Sequence, residues 1–291
     1  MRIKSFIKYI PIVLLAFSFA SCTKVINLDL PTGEALPYVD AWITDQSGVQ
    51  TIKFLKATNY LSSNDAVPVS DAQISVTDIT AGKTYAFSYQ NGAYTYDAGS
   101  KSIGVRGHLY KLNIAWSGQQ FEATDTLKRN TTIDSLTSEY KKAENGDKEG
   151  DYVKLWAHDV TGAVDYYWIR TYLNGSLDYH VSDMLSADGT FNDDGLSDGY
   201  AFIPPFRDGV TAGDHPYQKG DQVKVLIRSL SRDSWKFMQQ VLDQLANDGL
   251  FSKVMHNVPT NIKNLQSDSK LKVYGWFGTT AEISQSVTVH D

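Results

Sequence analysis

The sequence predicts a mainly β protein: an N-terminal immunoglobulin-like or transthyretin-like β-sandwich, followed by a second β-rich domain carrying one α-helix. Three observations predict it. Apolar and polar residues alternate with period two over most of residues 37–127. Turn residues break that alternation about every ten positions, the spacing of sandwich strands. Seventeen Tyr and six Trp stand in a largely polar chain of 291 residues, and aromatic side chains favour strands.

Residues 1–21 read as an export leader. Arg2, Lys4 and Lys8 supply positive charge, an apolar stretch runs from Ile10 to Ala20, and small Ala20 and Ser21 precede Cys22. The stretch is too short for the roughly 20 apolar residues of a membrane-crossing helix. Phe19-Ala20-Ser21-Cys22 resembles a bacterial lipobox, with Phe19 where Leu is usual. That resemblance implies two or three acyl chains on Cys22, each buried methylene contributing ~0.8 kcal/mol to membrane attachment. The alternative is an ordinary secretory leader that ends near a cysteine. Cys22 is the only cysteine, so no disulfide forms within the chain and the core alone must stabilise the fold. Loss of the three leader cations takes the formal charge from −6 to −9, which disfavours nucleic acid and anionic phospholipid as partners.

Residues 22–36 contain Pro31 and Gly33 and show no sustained period; they read as a tether. In the sandwich, residues 37–127, "YVDAWIT", "TIKFLKA", "AQISVTD", "KTYAFSYQ" and "LYKLNIAW" read as strands. Tyr85, Phe87 and Tyr89 share one face of the fourth. Asn91-Gly92 follows it and predicts a hairpin, because both residues tolerate positive φ. Residues 128–291 form the second domain. "KKAENGDKEGD" is a charged surface loop, and "YVKLWAH" and "DYYWIRTYL" are strands, the latter turning at Asn174-Gly175 into "SLDYHVS". A helix is predicted over 231–248. Ser231 caps it, Leu230 and Trp235 form its hydrophobic staple, Trp235, Met238, Leu242 and Leu245 recur at helical spacing, and Gly249 ends it. "LKVYGWFG" and "ISQSVTV" read as the last strands.

Read together, the pieces resemble the Bacteroidota lipoproteins grouped as domain-of-unknown-function family 4249. The likeness rests on Cys22 to Leu30, Ile43-Thr44-Asp45, Asp165-Tyr166-Tyr167, Asp193-Asp194-Gly195 and Gly220-Asp221-Gln222-Val223. It continues through Gly249-Leu250-Phe251, Pro259-Thr260-Asn261-Ile262 and Gly275-Trp276-Phe277. The resemblance implies an outer-membrane lipoprotein working beside a TonB-dependent receptor, with no catalytic residues to carry over. The functional expectation is a non-catalytic accessory or ligand-capturing protein; the alternative is a structural or adhesive envelope protein without a small ligand.

Individual motifs carry little chemistry. Asp188, Asn192, Asp194 and Asp198 offer oxygen ligands at spacings that suggest calcium, yet no downstream Glu completes an EF-hand, and a solvated turn-rich loop is the other reading. Gly195-Leu196-Ser197-Asp198-Gly199 matches a nucleophile elbow in form only: no strand precedes it, and Pro204-Pro205 are expected to forbid a following helix. Six scattered histidines lack zinc spacing. Tyr166, Trp168 and Tyr172 are candidate stacking surfaces for a ligand. Asp125-Thr126-Leu127 and Asp134-Ser135-Leu136 resemble short O-glycosylation sites. No basic patch is legible.

Overall fold

The structure is a computed structural model that describes residues 36–57, 66–246 and 258–290. The leader, Cys22, nearly all of the tether, and Gly249-Leu250-Phe251 lie outside the described residues. The first strands are β1 (Pro37–Thr44), β2 (Ser47–Lys56), β3 (Val67–Pro68), β4 (Gln73–Asp78), β5 (Lys83–Gln90), β6 (Ala93–Ser102), β7 (Leu109–Trp116) and β8 (Gln119–Thr126). Next come β9 (Thr132–Lys141), β10 (Gly150–His158), β11 (Tyr166–Leu173), β12 (Ser176–Leu177) and β13 (Met184–Ala187). Helix α1 (Pro204–Asp208), β14 (Gln222–Leu230), helix α2 (Arg232–Leu245), β15 (Lys263–Asn264), β16 (Tyr274–Thr280) and β17 (Glu282–Thr288) complete the order.

The mainly β reading and the immunoglobulin-like sandwich both hold. One leaf is β6-β2-β1, extended by β16 running parallel to β1. The other is β8-β7-β4-β5. Strand β5 joins the leaves, pairing with β4 through residues 83–87 and with β6 through residues 88–90. This is a Greek-key order of the immunoglobulin kind. Alternation fills the space between the leaves: Val39, Ala41 and Ile43 from β1, Ile52 and Phe54 from β2, and Leu112 and Ile114 from β7 are all buried. Asn91 and Gly92 take φ of 50° and 85°, the left-handed pair that a two-residue hairpin turn requires. Tyr110 pins the sandwich end, donating to Ile103 O at 2.9 Å and accepting from Val105 N at 2.8 Å.

The rest is a layered arrangement around the sheet β12-β11-β14-β17, with β13 also on β11. Strand β11 is buried on both faces. Tyr167 and Ile169 meet the β9–β10 ribbon through Leu136, Val153 and Leu155, while Tyr166 and Trp168 meet α2 through Trp235 and Met238. Ser231 caps α2 as expected, its hydroxyl accepting from Ser234 N at 3.2 Å. The apolar stripe is shorter than expected, because Leu245 is 77% exposed.

Three other expectations are corrected. Pro204 and Pro205 open helix α1 instead of forbidding one. The first-turn amides of a helix have no intrahelical partner, so proline there costs nothing. "SLDYHVS" gives only the two-residue β12, because Asp178 bends the chain away: its carboxylate accepts from His180 N at 3.0 Å and from Tyr217 OH at 3.1 Å. Finally, the cores do not divide in sequence order after residue 127. Ile262, Val273, Phe277 and Ala281 belong to the sandwich core, and Ala35–Asp291 forms one compact unit.

That return is tightly specified. Gly275 has φ of 86°, and a Cβ there would lie 2.0 Å from Val39 O, so β16 reaches β1 only through glycine. Asn261 holds the backbone of Phe277 from both sides, donating to its O at 2.7 Å and accepting from its N at 3.0 Å. Its partner is thus a strand sixteen residues ahead, where the sequence suggested neighbouring backbone.

Candidate functional site

Four cations separated widely in sequence converge where the sandwich meets the second sheet. Arg106 comes from the loop after β6, Lys128 and Arg129 from the link after β8, and Arg232 from the first turn of α2. With Val164 and Tyr166 they line an open cleft of about 670 Å³. That volume lies within the roughly 300–1,000 Å³ of small-molecule sites.

The link is held in place by groups from both halves. Asn130 Nδ2 donates to Ile227 O at 2.9 Å and to Ala281 O at 2.8 Å. Ser229 Oγ donates to Lys128 O at 3.0 Å and accepts from Ala281 N at 2.9 Å. Arg129 in turn fixes the 160–165 part of the lining. Its Nε donates to Asp165 Oδ2 at 2.7 Å, and its remaining nitrogens bond the carbonyls of Val160, Thr161 and Ala163. Arg129 therefore positions the cleft, and four of its five donors bond the protein itself.

Asp165 is the carboxylate within the lining, with its side chain 7% exposed. Burial pushes its carboxyl up to about 6 even though Arg129 pulls the other way, and Asp159 and Asp188 nearby add repulsion. Asp188 is fully buried and its carboxyl is also raised by burial; its Oδ1 accepts from Asp165 N at 2.7 Å, while Oδ2 has no hydrogen-bond partner among the described residues.

The other three cations remain accessible to solvent. Arg106 points two nitrogens at Asp45 Oδ2, and Arg232 does the same to Asp193 Oδ2, yet their side chains are 54% and 57% exposed. Lys128 is exposed, and its side-chain ammonium has no ion-pair or hydrogen-bond partner among the described residues.

The sequence-predicted site residues fare differently. Asp188, Asn192, Asp194 and Asp198 do not meet at one point. Asp194 caps its own turn through Leu196 N at 3.0 Å, Asp198 accepts from Gly162 N at 2.9 Å, and Asp188 turns inward to Asp165. Among the described residues no three His, Cys, Asp or Glu side chains are arranged to hold a metal ion. Tyr166 and Trp168 are 8% and 7% exposed, so their rings are committed to packing: Tyr166 lies 4.9 Å from Trp235, and Trp168 lies 5.6 Å from Trp42 with Arg170 and Arg228 over its faces. Tyr172 is half-buried under Lys224. Ser197 sits in a loop, 3.2 Å from Thr190 Oγ1, with no strand before it. The cation cleft is the feature that reading the sequence missed. Only the Lys128-Arg129 pair was visible as neighbours, and nothing in the chain announces that residues 106 and 232 join them.

A family profile described as "Domain of unknown function (DUF4249)" matches residues 23–286. The chain belongs to that family. The match embraces all four cleft cations of this DUF4249 protein and begins one residue after Cys22. Among solved structures, the FN1–FN3 domains of chicken CNTN1 are similar at 11% identity and a TM-score of 0.23, over 67% of this chain and 63% of that one. The chain thus spans under two thirds of that structure's length. The curated proteins contain no match.

Proposed function

We propose that this DUF4249 protein is a non-catalytic lipoprotein, held on the outer membrane by acyl chains on Cys22, that captures a ligand beside a TonB-dependent transporter. The observation that carries the reading is the cation-lined cleft, a ligand-sized hollow whose walls are pinned from both sides of the domain junction. The charged, apolar and small-residue zones before Cys22 support the anchor. No helix among the described residues is long and apolar enough to cross a membrane, which is compatible with attachment through lipid. A structural or adhesive role is the second reading. It draws on Phe191, Leu196 and Tyr200, which are 60%, 79% and 66% exposed in the loops before α1.

Expression in a bacterium with the native leader tests both parts. Mass spectrometry is expected to find a diacylglyceryl cysteine at the mature N-terminus, and Cys22→Ser to shift the protein from the membrane to the soluble fraction. Purification from detergent-solubilised outer membrane is expected to recover a transporter barrel in stoichiometric amount. A protein with an unmodified thiol, or one recovered alone, counts against the anchor or the partnership respectively.

A further inference from the structure

The cleft also constrains what it can hold. The chain carries six more negative than positive charges, so three solvent-accessible cations around one hollow oppose the average surface. Arg106 and Arg232 each keep an exposed side chain beside an engaged carboxylate, and the Lys128 ammonium has no partner among the described residues. An oxyanion reaching Lys128 would gain charge-assisted hydrogen bonds without displacing a protein partner. Asp45 and Asp193 flank the two arginines and would repel a second negative charge brought alongside. In the same lining Ala163 and Val164 offer apolar surface, and Val164 packs against the buried cluster that holds Tyr166.

We infer that the cleft binds a small organic anion, a singly charged carboxylate or phosphodiester head seated by Lys128, Arg106 and Arg232 with an apolar body against Ala163 and Val164. Arg129 is a positioning residue in this arrangement, since four of its five donors bond Asp165 and the 160–163 backbone. The inference rests on the capture reading and names the chemistry of what is captured.

Calorimetric titration of the soluble body, residues 23–291, with 2-naphthoate tests it. Saturable one-to-one binding that weakens in high salt is expected, with uncharged methyl 2-naphthoate not binding. Lys128→Gln is expected to weaken 2-naphthoate about ten-fold, which corresponds to about 1.4 kcal/mol. Its melting temperature should not change, since the side chain is exposed and has no partner among the described residues. Competition by inorganic phosphate would support the shared oxyanion seat. Equal binding of acid and ester, or an affinity untouched by Lys128→Gln and by Arg232→Gln, overturns the assignment; so does phosphate binding without 2-naphthoate binding, which removes the apolar half. The two proposals fail separately. A protein that brings down a transporter barrel but ignores 2-naphthoate loses the anion site alone, and one that binds the anion without the barrel loses only the partnership.

Discussion

Arg129 reaches four acceptors with one guanidinium, and the most consequential is the buried carboxylate of Asp165. Removing one partner of a buried pair leaves the other charge desolvated, which costs about 3–5 kcal/mol. Arg129→Ala is therefore expected to lower unfolding free energy by about 3 kcal/mol in denaturant titrations at pH 7.5. The loss should shrink at pH 5, where Asp165 takes up a proton. The sign follows from linkage. Burial pushes the Asp165 carboxyl up to about 6 in the folded protein from its ordinary 3.8, so between those values the folded state binds more protons than the unfolded chain. Its contribution to stability is fully present below about pH 4, is lost as pH rises to about 6, and is flat beyond. A melting temperature followed from pH 4 to 7 should show this fall in the natural protein and a shallower one in Asp165→Asn; identical slopes would contradict it.

At the scale of elements, helix α2 decides whether one face of the second sheet is covered. Its cap and its staple were both legible, because capping is a local matter of Ser231 and the amide three residues on. Ser231→Ala is expected to cost ~1 kcal/mol. Trp235→Ala should cost more, about 3–5 kcal/mol, because it empties the space between Tyr166 and Met238. Equal losses from both variants would mean that α2 is held by its cap rather than by its packing. Strand β11 shows why the stacking expectation went wrong. Alternation along "YYWIRTYL" separates its two faces correctly but does not say that both are covered, and the covering groups come from residues 153–155 and 235–238. Helix α1 shows the converse error, in which a rule about proline in helix interiors was applied to a helix start.

The whole molecule is joined by its C-terminal strands. β16 lies on β1 of the sandwich, and β17, one residue later, lies on β14 of the second sheet. Asp125 anchors the crossing: it is buried, burial raises its carboxyl, and it accepts from Thr279 N at 2.7 Å, Thr279 Oγ1 at 3.1 Å and Ser234 Oγ at 3.3 Å. Two sheets whose strands β16 and β17 are joined through Ala281 alone are expected to melt together. Calorimetry of residues 23–291 should give a single transition whose calorimetric and van't Hoff enthalpies agree; two resolved transitions would show that β16 does not couple the halves.

The mainly β class, most strand positions, the Asn-Gly hairpin turns, the cap of α2 and the lipobox resemblance at Cys22 are all legible in the linear chain. Each depends on residues within a few positions of one another, where backbone preference and period two act directly. Tertiary structure alone decided that residues 262–281 complete the first core, that Tyr166 and Trp168 are covered, and that Arg106, Lys128, Arg129 and Arg232 share one cleft. Those outcomes depend on which distant faces bury each other, and apolar burial carries no direction along the chain that a linear pattern could record.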